Sequence, residues 1–147
     1  LPPSQRPHEI MVDSIGLGAG VVDRLRELGL PARGINVSES PAMGTTYRNL
    51  RAELWYKAKA WFEARDCRIP ADEELVAELA TVRYFFSSAG KMQVEGKDDI
   101  RKRGLKSPDK ADSFVLTFAS DAAVSMFGAN TSQKWSQPLK RNLSRVA

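Results

Sequence analysis

Two carboxylates stand three residues apart at the start of an apolar stretch, in the segment GLKSPDKADSFVLTFAS that covers residues 104–120. Asp109 and Asp112 could cap a helix that begins there, because Ser and Asp side chains accept hydrogen bonds from free backbone N–H groups and their charge suits the helix dipole. The pair could instead supply oxygen ligands to a metal ion, with Asp109 as the main ligand. The segment alone leaves both interpretations open.

A third acid, Asp13, directly follows a short apolar run from Ile10 to Val12. In open α/β sheets, ligands bind at the carboxyl ends of the strands, where strand ends and helix starts converge. We expect a carboxylate at that position to be partly desolvated, which is costly unless it is paired, hydrogen-bonded or bound to a cation. Asp13 is therefore a second candidate for chemistry.

A dense run of charge lies just before the aspartate pair. Between Lys97 and Lys110 there are three acids and six bases, the bases being Lys97, Arg101, Lys102, Arg103, Lys106 and Lys110. Such a run is commonly a solvated face. Its position beside the acids favours another interpretation, since phosphodiester cleavage requires bases that hold the phosphate backbone and acids that hold metal ions.

A glycine-rich turn, with Gly16, Gly18 and Gly20, follows Asp13. It resembles a dinucleotide-binding turn, although Val21 stands where the third glycine of that fingerprint is needed. Glu39 lies about twenty residues further on, where a ribose-binding acid would be expected. An acid at the strand end would repel bound phosphates, so the glycines could instead serve a tight turn beside a charged substrate.

The elements that must position these residues follow from the periods of the apolar side chains. A strand at Ile10 to Val12, a helix in VVDRLRELG and a strand in GINVSES predict a βαβ unit with parallel strands. The later patterns predict an amphipathic helix near Tyr47 to Ala64, a helix opened by Pro70 and Asp72, a β-hairpin over Val82 to Val94, a short charged helix ended by Gly104, and a last helix opened by Pro108.

Composition limits the classes of protein that the chain can represent. The 147 residues are 42% hydrophobic and 27% charged, which is typical of one globular domain. No apolar run approaches the roughly 18 residues that cross a bilayer, so we expect no membrane partner. A single cysteine, Cys67, and a single histidine, His8, cannot build a zinc site, so any metal site must use carboxylates.

The net charge of +4 is concentrated at the carboxyl end of the chain. Residues 131–147 contain four bases and no acid, whereas the rest of the chain has equal numbers of bases and acids. We therefore divide the chain into a domain at 1–130 and a basic tail at 131–147, which could contact phosphates or an acidic partner.

Several segments taken together resemble the C-terminal nuclease domain of a tailed-phage terminase large subunit. They are VDSIGLGAGVVDRLRELG, INVSESP, YRNLRAELWYKAKAWF and EGKDDIRKRGLKSPDKADSFVLTFA, and the resemblance runs from about Glu9 to Ala119. Its most specific parts are the Y-x-N-x-R-A-E-x-W helix and the K-[ST]-P-D-x-x-D motif. Such domains are similar to RNase H, which implies an α/β fold with a mixed sheet flanked by helices.

The resemblance also implies roles for individual residues. Asp13 is the middle metal-binding acid and Asp109 the last one, and these two are the implied catalytic residues. Asp112 ranks behind Asp109 as a metal ligand. The ions are Mg²⁺ or Mn²⁺, two in a complete site, where one activates water and the other stabilises the leaving oxygen. The residues implied to contact DNA are Lys97, Arg101, Lys102, Arg103 and Lys106.

The family's first metal-binding acid lies on an opening strand, upstream of the part that this chain matches. We therefore expect the chain to lack the N-terminal strands of the sheet, and to cleave DNA poorly by itself.

The implied function is that of the endonuclease domain of a viral DNA-packaging terminase, a hydrolase that cuts double-stranded, concatemeric DNA. Its further implied partners are the terminase small subunit and the portal protein, and its implied location is the host cytoplasm rather than the mature virion. Two other classes stay open from the residues. One is a nucleotide-binding Rossmann-like module, and the other is a non-catalytic module that docks on the portal.

Overall fold

The computed structural model describes residues 6–65 and 67–120, so the predicted basic tail at 131–147 and the predicted domain boundary at 130 lie outside the described residues. The described part is a mixed α/β structure. Its elements are β1 (Ile10–Asp13), α1 (Gly18–Glu27), β2 (Ala32–Ile35), α2 (Leu50–Glu63), α3 (Glu73–Thr81), β3 (Tyr84–Phe86), β4 (Met92–Val94), α4 (Lys97–Lys102), α5 (Asp109–Leu116) and a 3₁₀ turn (Thr117–Ala119). None of the described helices has the length and apolar character needed to cross a bilayer.

The predicted βαβ unit is present, with β1 and β2 paired in parallel and Ile10 opposite Ala32. The second strand begins two residues before the GINVSES segment, because Gly29, at φ +72°, ends the turn after α1 and the chain extends at once. Asp13 ends β1 opposite Ile35. The sequence pattern therefore placed the acid at the carboxyl end of a strand correctly.

The glycine turn is required by backbone geometry. Gly16 has a φ of +64°, a conformation that favours glycine. A Cβ added to Gly18 would lie 1.7 Å from the carbonyl oxygen of Asp13, whereas one added to Gly20 would meet nothing within 4 Å. The first turn of α1 thus lies directly against the end of β1, and only glycine at position 18 permits that approach.

The parallel strand pair lies between two layers of helices. Gly34 faces α1, since a Cβ added there would lie 3.4 Å from a methyl of Val22. The next residue, Ile35, belongs to the buried cluster on the other face, because successive strand residues point to opposite faces. That cluster joins β2 to α2 and α5, and it consists of Ile35, Leu54, Ala58, Val115 and Leu116.

The long amphipathic helix begins at Leu50, three residues later than the pattern suggested. Asn49 caps it, because its side-chain oxygen accepts a hydrogen bond from the Ala52 N–H at 3.0 Å. Tyr47 instead forms an isolated β-bridge to Met92, which joins the approach to α2 to the hairpin. The cap therefore fixes the register of α2 and so the direction of its side chains.

The predicted hairpin is present, with β3 and β4 paired antiparallel. The expectation of one mixed sheet is not met within the described residues, where the parallel pair and the antiparallel pair form two separate two-stranded sheets. The physical reason is that β4 is bonded on its other side to the loop before α2. The Met92 N–H donates to the Thr46 carbonyl and the Arg48 N–H donates to the Met92 carbonyl, so that edge is not available to β1 or β2.

Candidate active site

A cleft of about 710 Å³ opens where β1, α2, the β4–α4 junction and α5 converge. The residues of its wall that bear on chemistry are Asp13, Asp109, Asp112, Arg51, Trp55 and Lys97. The three acids singled out from the sequence therefore border one cleft, although Asp13 and Asp109 are 96 positions apart in the chain. Two of them lie on one helix, and the third lies at a strand end.

Asp13 is held by the turn that follows it. Its Oδ1 accepts a hydrogen bond from the Ile15 N–H at 3.2 Å. The residue is exposed, which corrects the expectation that a carboxylate at this strand end would be partly desolvated. The reason is that the glycine turn passes beside the strand end and leaves the cleft open above it.

Asp109 is the first residue of α5 and faces two donors. Its Oδ1 accepts hydrogen bonds from the Ser107 hydroxyl at 2.8 Å and from the Lys97 ammonium at 3.1 Å. These two bonds, with the Ser107 hydroxyl the stronger influence, hold the pKa of the Asp109 carboxyl below its usual range. The carboxyl is therefore ionised at neutral pH, as a cation-binding group must be.

Asp112 lies one turn further along α5 and is held more firmly. Its Oδ1 accepts three hydrogen bonds, from Nε and Nη2 of Arg51 at 3.1 and 2.9 Å and from Nε1 of Trp55 at 3.0 Å. Its Oδ2 lies 3.6 Å from Nζ of Lys97. One oxygen of this carboxylate is thus fixed by the helix opposite, and the other faces the Lys97 ammonium.

Neither aspartate caps α5 with its side chain. The residue at the cap position is Pro108, and no side-chain capping hydrogen bond is present there. A free N–H of the first turn, that of Ala111, donates to Oε2 of Glu78 at 2.8 Å. Glu78 lies on α3, so the cap comes from a neighbouring helix. The aspartate pair therefore makes no capping hydrogen bond, but both acids lie in the first turn of α5, where their charge suits the helix dipole, and both line the cleft.

The cation that the two aspartates share is Lys97, whose ammonium lies between Asp109 and Asp112. Within the described ranges, no group of three His, Cys, Asp or Glu side chains is close enough together to hold a metal ion. The structure therefore shows a carboxylate pair with a positive charge between its members, and two further carboxylates, those of Asp13 and Asp99, elsewhere on the cleft wall. The assignment of these acids as metal ligands stays a prediction.

The other predicted DNA-binding residues differ in their surroundings. Arg101 and Lys102 lie on the exposed face of α4 and pair with Asp98 at 3.1 Å and Asp99 at 2.8 Å. Lys106 is exposed in the loop before α5. All three bases are accessible to a phosphate, because Lys106 is exposed and the exposed ion pairs of Arg101 and Lys102 contribute little free energy.

Arg103 points inward instead. It donates a hydrogen bond to Oε2 of Glu95, which is 5% exposed. The nearer of its two terminal nitrogens to Thr81, Nη2, lies 3.4 Å from the Thr81 carbonyl oxygen. The Arg103 hydrogen bond is the main reason that the pKa of Glu95 lies below its usual range, and the Arg83 N–H adds to it. This pairing favours a structural role for Arg103 over the predicted contact with DNA.

The Arg103→Met variant tests that role. We expect it to lower the free energy of unfolding at pH 7 by about 2 kcal/mol, the range for a hydrogen bond to a charged group. Because the folded-state pKa of Glu95 is lowered, the pair stabilises the protein above the unfolded-state pKa, and this contribution is lost as pH falls through the folded-state pKa. Urea unfolding at pH 7 and below about pH 4 measures the difference, which we expect to shrink in acid.

The matched control is Arg101→Met, which removes an exposed arginine from the same segment. We expect its effect to stay within about 0.5 kcal/mol at either pH. Equal effects of the two substitutions would show that Arg103 does not support Glu95.

Three residues of the site were not predicted: Arg51, Trp55 and Ser107. Arg51 and Trp55 belong to the Y-x-N-x-R-A-E-x-W motif, and their spacing of four places them on one face of α2. That spacing could have indicated the contact from the sequence. The Arg–Trp pair shares its helix face with Leu50 and Leu54, and polar N–H groups on such a face need a buried hydrogen-bond acceptor. Ser107 occupies the [ST] position of the K-[ST]-P-D-x-x-D motif, but the motif alone did not indicate its hydrogen bond to Asp109.

The fold of the described residues is similar to that of solved nuclease domains of a bacteriophage large terminase subunit. The solved nuclease domain of the large terminase subunit gp2 of bacterial virus Sf6 superposes with a TM-score of 0.63 at 24% identity, over 75% of this chain and 64% of that one. A variant of the same domain solved with manganese gives 0.63 at 23%, over 75% and 65%, and one solved with calcium gives 0.62 at 24%, over 75% and 64%.

At this level of identity the likeness establishes the fold. This chain spans less than two thirds of the length of those solved chains. No protein-family model matches the sequence, and a search of curated proteins gave no significant match.

Proposed function

We propose that this chain is the nuclease domain of a viral DNA-packaging terminase, and that it cuts double-stranded DNA with divalent metal ions. The observation that carries the proposal is that Asp13, Asp109 and Asp112 all border one cleft, in a fold shared with a terminase nuclease domain. We infer that the whole protein acts on concatemeric viral DNA in the host cytoplasm, with the small subunit and the portal as partners.

The donor set of the cleft fits a hard cation. Carboxylate oxygens are the ligands that Mg²⁺ and Mn²⁺ prefer, and Asp109 and Asp112 already hold one positive charge, the Lys97 ammonium, between them. Asp109 and Asp112 would hold an ion from the helix side of the cleft, and Asp13 from the strand side. When bound, such ions generate hydroxide and neutralise the charge that develops on the phosphate.

The chain's own cations have a separate task in this proposal. Lys97 stands at the cleft, and the exposed bases Arg101, Lys102 and Lys106 follow it along the chain. Together they would bind consecutive phosphates and hold the scissile strand over the acids. Contacts to the backbone position DNA without reading its sequence, so we expect cleavage with little sequence preference.

Titration of the chain with Mn²⁺, NAD and ATP tests this function against a nucleotide-binding module. We expect calorimetric binding of Mn²⁺ and no heat from either nucleotide. The fold itself requires Gly16, which has a positive φ, and Gly18, which lies against the end of β1, so no bound nucleotide is needed to explain these glycines. Nicking of a supercoiled plasmid by the full-length protein, with and without Mn²⁺, measures the activity. Binding of NAD or ATP without binding of Mn²⁺ would refute the nuclease proposal.

A further inference from the structure

Arg51 joins three elements of the cleft through one guanidinium group. It lies on the first turn of α2, and its Nε and Nη2 both donate to Oδ1 of Asp112 on α5. Its remaining nitrogen, Nη1, donates to the Glu95 carbonyl at 2.7 Å. That carbonyl belongs to the β4–α4 junction, two residues before Lys97, so one side chain sets the positions of both Asp112 and the segment that carries Lys97.

Trp55, one turn further along α2, completes this arrangement. Its Nε1 donates to the same Oδ1 of Asp112, and its ring lies 5.8 Å from the Arg51 guanidinium in a cation–π contact. The Arg51 and Asp112 side chains are only 15% and 20% exposed. Because water has little access to them, we expect these bonds to persist rather than exchange.

The three hydrogen-bond donors determine which oxygen of Asp112 can bind a further ligand. Oδ1 accepts three hydrogen bonds, which leaves Oδ2 as the oxygen that can take a further ligand, and Oδ2 is the oxygen near the Lys97 ammonium. A carboxylate with one oxygen fixed can rotate little about its side-chain bonds. Residues that orient a metal ligand in this way raise the affinity of the site, because the ligand loses less freedom when the ion binds.

We propose that Arg51 is a positioning residue, assisted by Trp55, that presents Oδ2 of Asp112 to a divalent ion in the cleft. This inference rests on the proposed nuclease function. It assigns to the Y-x-N-x-R-A-E-x-W helix a specific task, which is to fix one oxygen of an acid on another helix. In this role Arg51 needs the neighbouring N–H donors of its planar guanidinium, and a positive charge alone would not position Asp112.

The test uses the variants Arg51→Lys and Trp55→Phe in the full chain, with Trp61→Phe as the matched control. Trp61→Phe makes the same chemical change on the same helix, in a cluster with Phe62, Phe114 and Phe118. Calorimetry measures the Kd for Mn²⁺, and circular dichroism measures the thermal midpoint. We expect Arg51→Lys to weaken Mn²⁺ binding about 10- to 100-fold and Trp55→Phe to weaken it less, whereas Trp61→Phe leaves the Kd unchanged.

A merely structural role would give another pattern. In that case Arg51→Lys, which keeps the positive charge beside Asp112, would bind Mn²⁺ like the parent chain, or all three variants would lose affinity in proportion to their thermal midpoints. Either result overturns the inference and leaves the nuclease proposal intact. Failure of the parent chain itself to bind Mn²⁺ would instead reject the proposed function, and the positioning role with it.

Discussion

The Asp13→Asn variant is expected to lose DNA cleavage by about 10³-fold or more. A metal ion contributes several kcal/mol of transition-state stabilisation, and each 1.36 kcal/mol corresponds to about a tenfold change in rate. The fold should survive, because the amide oxygen of asparagine can still accept the Ile15 N–H bond and the residue is exposed. Plasmid nicking under Mn²⁺, in the full-length protein, measures the loss.

The control for this prediction is Asp23→Asn, which removes one exposed acid from α1 away from the cleft wall. Both variants change the net charge by the same amount, so general effects on DNA affinity cancel between them. Cleavage by Asp13→Asn at the rate of Asp23→Asn would remove Asp13 from the site.

The Gly18→Ala variant is expected to show the largest loss of stability, about 3 kcal/mol or more. Its new Cβ would lie 1.7 Å from the Asp13 carbonyl oxygen, so α1 would have to shift away from the end of β1. The Asp13 carbonyl oxygen is a backbone atom and the alanine Cβ is bonded directly to the backbone, so no side-chain rotation relieves the clash. Urea unfolding followed by circular dichroism measures the change, and the shift should also disturb the position of Asp13.

Gly20→Ala is the matched substitution two residues later in the same helix, where an added Cβ meets nothing within 4 Å. We expect it to stabilise the protein by up to about 1 kcal/mol, the difference in helix propensity between the two residues. A Gly18→Ala protein as stable as Gly20→Ala would contradict the close packing of α1 on β1.

Local patterns were sufficient to predict most elements of the fold. Alternation of apolar residues indicated the hairpin, and the run from Ile10, the helix in VVDRLRELG and the strand in GINVSES indicated the parallel unit. The arrangement of the strands into sheets could not be predicted in this way. The pairing of Met92 with the loop at Thr46 and Arg48 is a long-range backbone contact, and backbone hydrogen bonds leave no mark on the side-chain pattern.

The positions of the acids that border the cleft could be predicted from the sequence, but the contacts that support them could not. Asp13 stood at a strand end and Asp109 at a helix start, and both positions are recognisable from local sequence. The capping of α5 by Glu78 and the fixing of Asp112 by Arg51 depend on how helices pack across tens of residues. The same is true of Arg103, which belongs to a basic run in sequence but turns toward Glu95 because that acid is buried.

The separation of the cleft acids along the chain has a consequence for biosynthesis. A ribosome that adds about 5 to 20 residues per second needs about 5 to 20 s to pass from Asp13 to Asp109. Until α5 leaves the ribosome and packs on α2, Asp13 stands alone, and an isolated carboxylate has little hold on a divalent ion. Under the proposed function, the acids of the cleft are therefore incomplete in a nascent chain, and we expect competence for cleavage to arise only when α5 docks on α2.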